Sequence, residues 1–517
     1  MNQWNNVIEK KPYLPGLLIT AFIFVIYVPA LNIYLMRDDF EWLNESYRAI
    51  HNPLVLFQTI NTFFRPLVKV SYLFNYIFFK TAVPFYSLTT ILIHLVNVYL
   101  LYIVLCRVSK RIHIASLSAL AFGVSPFFSE VTLWAAGRPD SIVLIFIMGV
   151  LLCFTGTEEK EIISWKRQVG IAVLALCAAG SKETWILLPF FVLTLLLIVK
   201  QIPLKPALKK TSILFLLWGL YIIYFIALPF LFQKATPTIY NKVDFSAMVR
   251  KFGFLIFKYT GLGESFSGAT WQYLLIILAF GLLTYRIITR KNKLALWGLI
   301  WMLLSIGISL SIFYAPSRYN YIPLLGFWVM LISFLSMEIK TLQEKFRINR
   351  RLVFLGIGVI FFFHIFYQAA MLQWEIADYQ NQGSAHKQVM DMYNTVKDRL
   401  PRNQPIIFAD ISTRKAVDES ARDVKGYRKL LFVRAKAIWQ LVFISPLANF
   451  AGNPFKEQME PIPENELDSV FQGEYTVLVF NDAAFFISDV YKPGLREYYL
   501  KYRKLPNKVQ AVRFIQD

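Results

Sequence analysis

Residues 84–106 read PFYSLTTILIHLVNVYLLYIVLC, a stretch without a single Lys, Arg, Asp or Glu. At about 1.5 Å of rise per residue, a helix of this length crosses the roughly 30 Å hydrocarbon core of a bilayer. Further apolar runs lie at 14–35, 112–128, 139–154, 168–182, 185–199, 211–232, 271–288, 295–314, 318–336 and 352–372, so about eleven spans are expected. The whole-chain composition agrees. Of 517 residues, 56% are hydrophobic and 16% aromatic, more apolar surface than a soluble core of this length buries. The expected fold is therefore an α-helical polytopic membrane protein, with membrane lipids as the solvent of its outer faces.

The formal charge of +21 would point to nucleic acid in a soluble protein. In a polytopic chain the same excess has a topogenic reading, because Lys and Arg collect in cytoplasmic loops; no nucleic-acid partner is expected. With the N-terminus cytoplasmic, the loops on that side are those of Lys10-Lys11, Arg107–Arg111, Lys160–Arg167, Lys200–Lys210, Arg286–Lys293 and Lys340–Arg351. They hold 21 cations, against 13 on the other side outside the C-terminal domain. The stretch 62–80 is apolar but interrupted by Arg65, Lys69 and Lys80, and reads as an amphipathic helix along the interface. Counting it as a span would invert every later loop and break the charge pattern. Leu14 to Leu35 follows Lys10 and Lys11 and carries a weak cleavage-like Val28-Pro29-Ala30, but it is too long for a signal h-region and reads as a span. Cys106, Cys153 and Cys177 lie inside apolar runs without metal-ligand spacing, which argues against both a disulfide framework and a zinc site.

From about Glu375 the apolar fraction falls and turn residues return. The expected organisation is a membrane domain over 1–373, with an extracytoplasmic loop at 36–83, followed by a small soluble α/β domain over 374–517. In that domain Ser384 is the expected cap of a helix running to Leu400. Pro405 to Asp410 and Tyr475 to Phe480 read as buried strands, and Leu430 to Ser445 as a mixed apolar run. An odd number of spans places this domain outside the cytoplasm.

Charged residues next to the spans gather on the outer side. Asp38 and Asp39 follow the first span, and Arg65 precedes the interfacial helix. Glu130, Arg138 and Asp140 lie between the third and fourth spans, Lys182 and Glu183 between the fifth and sixth, and Arg318 opens the tenth beside Tyr319 and Tyr321. For any one of these, a solvated loop charge or a structural ion pair is the plainer account. Five separate segments meeting on one face point to a site, because ionisable groups near membrane depth are costly. The residue types suit glycosyl transfer from a lipid-linked sugar phosphate. A carboxylate takes a proton from the acceptor hydroxyl, and cations stabilise the leaving phosphate. Asp38 or Asp39 fits the first role, with Asp39 slightly preferred because Asp38 adjoins Arg37. Arg138, Lys182 and Arg318 fit the second.

These residues lie in recognisable motifs. FFRPLVKVSYLFNYIFF (63–79) and ILIHLVNVYLLYIVLCRV (91–108), then SPFFSEVTLWAAGRPD (125–140), GSKET (180–184) and SRYNYIPLLGF (317–327), resemble in order and spacing the transmembrane and tetratricopeptide-repeat-containing O-mannosyltransferases and their bacterial relatives. The resemblance covers roughly Arg37 to Phe327. It implies a GT-C glycosyltransferase fold, a polyprenyl-phosphate-linked sugar donor and an active site on the extracytoplasmic side of the cell (inner) membrane. By position it assigns the acidic pair to Asp38-Asp39, the loop acid to Glu130 and the basic positions to Arg138, Lys182 and Arg318. Arg65, Asp140, Glu183, Tyr319 and Tyr321 are taken as supporting. The chain departs from the pattern in two places. Ser125, Phe127 and Phe128 stand where relatives often carry a His near the loop Pro, and no tetratricopeptide array follows the last span, which weakens the case for a cadherin-type acceptor.

A divalent metal among Asp38, Asp39, Glu130 and Asp140 stays open as a second arrangement. The acidic pair is contiguous and not spaced, and only five His occur, so a metal-free site is favoured. The expected acceptor is a protein, or a glycan or lipid of the cell envelope. The competing functional reading is a transporter or flippase of a lipid-linked glycan. It fits less well, because such proteins tend to show repeated halves and charges at mid-span. A non-catalytic scaffold is a third reading, which the retained acidic pair and basic positions disfavour.

Overall fold

A computed structural model of the chain describes residues 13–59, 63–80, 82–224, 245–259, 270–310, 316–346, 350–394, 399, 405–410, 459–462, 464–481, 484–487, 492–502 and 509–514. In chain order the helices are α1 Leu14–Tyr27, α2 Asp39–His51, α3 Pro66–Phe79, α4 Val83–Ser109, α5 Ile112–Gly123, α6 Ser129–Leu133, α7 Pro139–Phe154, α8 Trp165–Ala179, α9 Leu188–Thr194, α10 Leu204–Ile222, α11 Phe245–Tyr259, α12 Thr270–Thr289, α13 Lys293–Leu310, α14 Tyr321–Phe346, α15 Arg350–Asn394, α16 Leu467–Gln472 and α17 Lys492–Tyr502. The strands are β1 Ile406–Asp410, β2 Met459–Pro461, β3 Thr476–Asn481, β4 Ala484–Ile487 and β5 Val509–Phe514. The chain divides into two compact units, one of Met1–Leu31, Phe57–Val68 and Ser87–Ile376, the other of Asn32–Leu56, Lys69–Tyr86 and Ala377–Asp517.

Among the described residues seven stretches are long and apolar enough to cross a membrane: Leu14–Asn32, Val83–Ser109, Ala135–Phe154, Trp271–Thr289, Lys293–Leu310, Ser317–Lys345 and Leu355–Ser384. An eighth, Ile112–Gly123 with Pro126–Leu133, is bent by 55°. The run expected as one span at 112–128 breaks there because Pro126 has no N–H to donate, while the Ser125 side chain accepts from the Phe127 N–H and starts a new turn. The expected spans at 168–182, 185–199 and 211–232 fall on α8, on the short apolar stretch Glu183–Val199 and on α10. The first two are short and α10 begins with three lysines; 225–232 lies outside the described residues.

Outward faces of these helices are apolar. Ile360, Phe362, Phe363 and Phe366 on α15 are 64–71% exposed, which lipid tolerates and water does not. Inside the first unit α13 and α14 pack backbone to backbone. A Cβ on Gly298 would lie 2.6 Å from the Met330 nitrogen, and one on Gly326 would lie 2.7 Å from the Gly298 carbonyl oxygen. Small residues at a helix crossing replace the hydrophobic drive that lipid does not supply. Trp301 beside them stacks on Phe191 at 3.7 Å.

The second unit carries a five-stranded sheet in the order β2-β5-β1-β3-β4. Its central strands β1 and β3 run parallel, Ile406 opposite Thr476, and are the two strands expected at 405–410 and 475–480. The other pairings are antiparallel. Phe471 of α16 stacks on Tyr499 of α17 at 4.5 Å. The run Leu430 to Ser445 lies outside the described residues.

One expectation needs correction. No helix starts at Ser384, because α15 runs unbroken from Arg350 to Asn394. That stretch has no proline, so every N–H can enter the helical ladder, and the cost of about 1 kcal/mol for Gly383 does not stop it. The stretch expected as an interfacial helix at 62–80 holds α3, 14 residues long, and within it Lys69 is buried. It is 1% exposed, and its Nζ donates to Glu45 Oε2 at 2.6 Å and to the Val55 carbonyl at 2.7 Å.

Candidate active site

In the first unit the segment 125–140 folds back on itself at Gly137. A Cβ there would lie 1.8 Å from the Glu130 carbonyl oxygen, so only glycine permits the turn Ala135–Gly137 against α6. This places Glu130 beside the turn Ser317–Asn320. The Glu130 N–H donates to Ser317 Oγ at 3.2 Å, and Glu130 Oε2 accepts from the Arg318 N–H at 3.2 Å. The Arg318 guanidinium stands farther off, 3.8 Å from the same oxygen, and its side chain stays 32% exposed. It lies 5.9 Å from the ring centre of Trp134 and 5.8 Å from that of Tyr319.

Two more pairs adjoin this one. Lys182, in the turn after α8, donates to Asp140 Oδ2 in the first turn of α7, and both side chains are nearly buried. Its Nζ also lies 4.8 Å from the centre of the Tyr319 ring. Arg65 grips Glu183 with both arms, Nε to Oε1 at 3.1 Å and Nη2 to Oε2 at 2.8 Å. The Leu67 N–H donates to the Gly180 carbonyl at 3.1 Å and ties these two loops together. Burial lowers the Lys182 ammonium below its ordinary pKa. Asp140 opposes that effect, and the fields of Arg65 and Arg318 add to it. Three cations, each facing a carboxylate, thus lie in neighbouring loops, and of the three pairs Arg318–Glu130 is the longest.

Two expected site residues have other surroundings. Arg138 is completely buried, and its Nε donates to Thr90 Oγ1 at 2.8 Å, which joins the start of α7 to α4. Tyr321 is not an interfacial neighbour of Arg318. It is fully buried, and its hydroxyl lies 2.9 Å from His94 Nδ1 and 3.2 Å from Asn97 Nδ2. His94 Nε2 lies 3.0 Å from the Gly123 carbonyl, which can only accept, so the proton is on Nε2 and Nδ1 accepts from Tyr321. Sequence reading passed over His94 and Asn97, although the signal was visible as two polar residues in the middle of an apolar run.

Asp38 and Asp39 belong to the second unit. Asp39 is 1% exposed, with Oδ2 accepting from the Met36 N–H at 2.9 Å and Oδ1 from the Tyr72 hydroxyl at 2.7 Å. Asp38 is half-buried and heads α2, and its carbonyl accepts from the Glu41 and Trp42 N–H groups. Arg37 before it adopts φ 53°, and its guanidinium donates to Gln382 Oε1. Among the described residues no three His, Cys, Asp or Glu gather as metal ligands.

The helical bundle defines a polytopic membrane protein with a GT-C-like fold. A solved structure similar to it is ArnT from Cupriavidus metallidurans bound to undecaprenyl phosphate, which aligns over 91% of this chain and 97% of its own with a TM-score of 0.51. The two are 11% identical, so the likeness is one of fold. Neither a protein-family model nor a curated protein sequence matches the chain.

Proposed function

We propose that the protein is a glycosyltransferase that moves a sugar from a polyprenyl-phosphate donor to a protein, glycan or lipid acceptor on the extracytoplasmic face. The observation that carries this is the group of Arg318, Lys182 and Arg65 around Tyr319. Arg318 is partly exposed and only loosely paired, suited to turn its planar fork onto a phosphate. The ordered motif resemblance and the similarity in fold to a protein solved with undecaprenyl phosphate support the same donor class. The proton acceptor is one of Asp38 and Asp39, the acidic pair of the motif resemblance. Asp39 has both oxygens engaged by Met36 and Tyr72 and serves to hold the head of α2. Glu130 orients the Arg318 turn, and Arg138 acts through the start of α7. Native mass spectrometry of the purified protein should find a polyprenyl phospho-sugar. Absence of any such lipid, together with no transfer from synthetic donors, would sink the reading.

Arg318→Lys separates a phosphate clamp from an interfacial anchor. An anchor needs only a long cationic stem, whereas a clamp needs the fork. Losing one charged contact costs about 1.5–3 kcal/mol, roughly ten- to a hundredfold in donor affinity or turnover. Wild-type kinetics and donor affinity in the variant would leave only the anchor.

The orientation follows from the basic loops, with the N-terminus cytoplasmic and the domain over 374–517 outside. A cysteine at position 385 should react with an impermeant thiol reagent in spheroplasts. Protection there would mean a span count wrong by an odd number.

A further inference from the structure

About 20 Å along α14 from the Arg318 turn, by helical rise, a second polar pocket opens in the first unit. It has a volume of about 380 Å³. Among the described residues Arg111, Lys291 and Lys293 line it together with Ser109, Asn292 and Ser333, and no carboxylate does. The nearest acidic group in sequence, Glu338, is already held by Arg286 at 3.1 Å and Arg290 at 3.4 Å. Two helices begin at this pocket. Arg111 is the residue before α5 and caps it with no side-chain bond, and Asn292 precedes α13, its Oδ1 accepting from the Ala295 N–H. The positive ends of both helix dipoles therefore add to the three cations. Lys291 holds φ 52°, a conformation costly for a side chain with a Cβ, at the point where the turn brings its cation to the pocket. The independent sign of a ligand is Ser333. It is 2% exposed, lines the pocket, and its hydroxyl has no hydrogen-bond partner among the described residues, although a buried hydroxyl ordinarily finds one.

We propose that this pocket binds a phosphate group, with Arg111, Lys291 and Lys293 neutralising its charge and the Ser333 hydroxyl donating to one of its oxygens. The ligand class is a phosphate ester, and its chemistry is shared by an anionic lipid headgroup and a water-soluble phosphate. Basic pockets between membrane helices suit the first. The site is separate from the sugar-transfer reading and stands whether or not that reading holds.

The test uses the full-length protein and the triple variant Arg111→Gln/Lys291→Gln/Lys293→Gln, all exposed side chains whose replacement leaves the core intact. In one arm, nanodiscs of phosphatidylcholine with and without phosphatidylglycerol are followed by native mass spectrometry of retained lipid. In the other, thermal unfolding in detergent is followed against inorganic phosphate. At about a fivefold effect per cation, the triple variant should lose affinity on the order of a hundredfold in whichever arm responds. Ser333→Ala should weaken the same arm with no change in unfolding temperature when ligand is absent. Retention of phosphatidylglycerol alone assigns a lipid headgroup, and a response to phosphate alone assigns a soluble phosphate. Wild-type protein silent in both arms, or a triple variant that binds as wild type does, overturns the proposal.

Discussion

Replacing the proton acceptor of the acidic pair, in Asp38→Asn or in Asp39→Asn, is expected to lower sugar transfer by about 10²- to 10⁴-fold while the chain stays folded and still binds its donor. The carboxamide nearly matches the carboxylate in shape but cannot take the proton from an acceptor hydroxyl. Asp39→Asn also carries a structural cost. Its amide can present oxygen to the Met36 N–H and NH₂ to the Tyr72 hydroxyl, at a cost of about 0.5–1.5 kcal/mol in stability. A fall in its transfer beyond what that loss of stability explains marks Asp39 as the base. Single-turnover transfer measured beside donor binding separates the two. Loss in one variant alone assigns the base to that residue, and full transfer in both removes the acidic pair from the chemistry.

Lys182→Met should destabilise the first unit by about 3–5 kcal/mol, because it strands the Asp140 carboxylate in a site where that side chain is 2% exposed. The double variant Lys182→Met/Asp140→Leu should recover most of this, since an apolar pair of similar volume needs no counter-charge. Thermal unfolding in detergent reads both variants. If the single variant unfolds with the wild type, the pair contributes nothing to stability. Transfer activity of the double variant then isolates the role of the Lys182 charge. A stable but inactive double variant supports its place near the donor phosphate, and an active one confines Lys182 to holding the start of α7.

Much of the membrane part was legible in the chain. An apolar run long enough to span a bilayer is a local property, and among the described residues eight of the eleven expected spans coincide with stretches long and apolar enough to cross, one of them bent, including the unbroken run at 84–106 within α4. The strands at 405–410 and 475–480 were legible for the same reason, as short apolar runs bounded by turns. Failures came where a local signal competed with long-range packing. The polar cluster Asn381 to Ser384 looks like a helix start, yet α15 passes through it. Lys69 interrupts an apolar run, and its partner Glu45, 24 residues away in the chain, is set by packing.

The sequence by itself determined that this chain needs lipid, where most of its apolar helices run, and which segments carry its charges, because hydrophobic length and charge count require no partner. Tertiary structure alone decided which charge meets which. Glu130 and Arg318 stand 188 residues apart, Arg65 and Glu183 118, and Lys182 and Asp140 42. The same packing turned Arg138 and Tyr321 inward and joined Tyr321 to His94. A buried charge or hydroxyl is tolerated only where another group satisfies it, and that group is chosen by how distant helices pack.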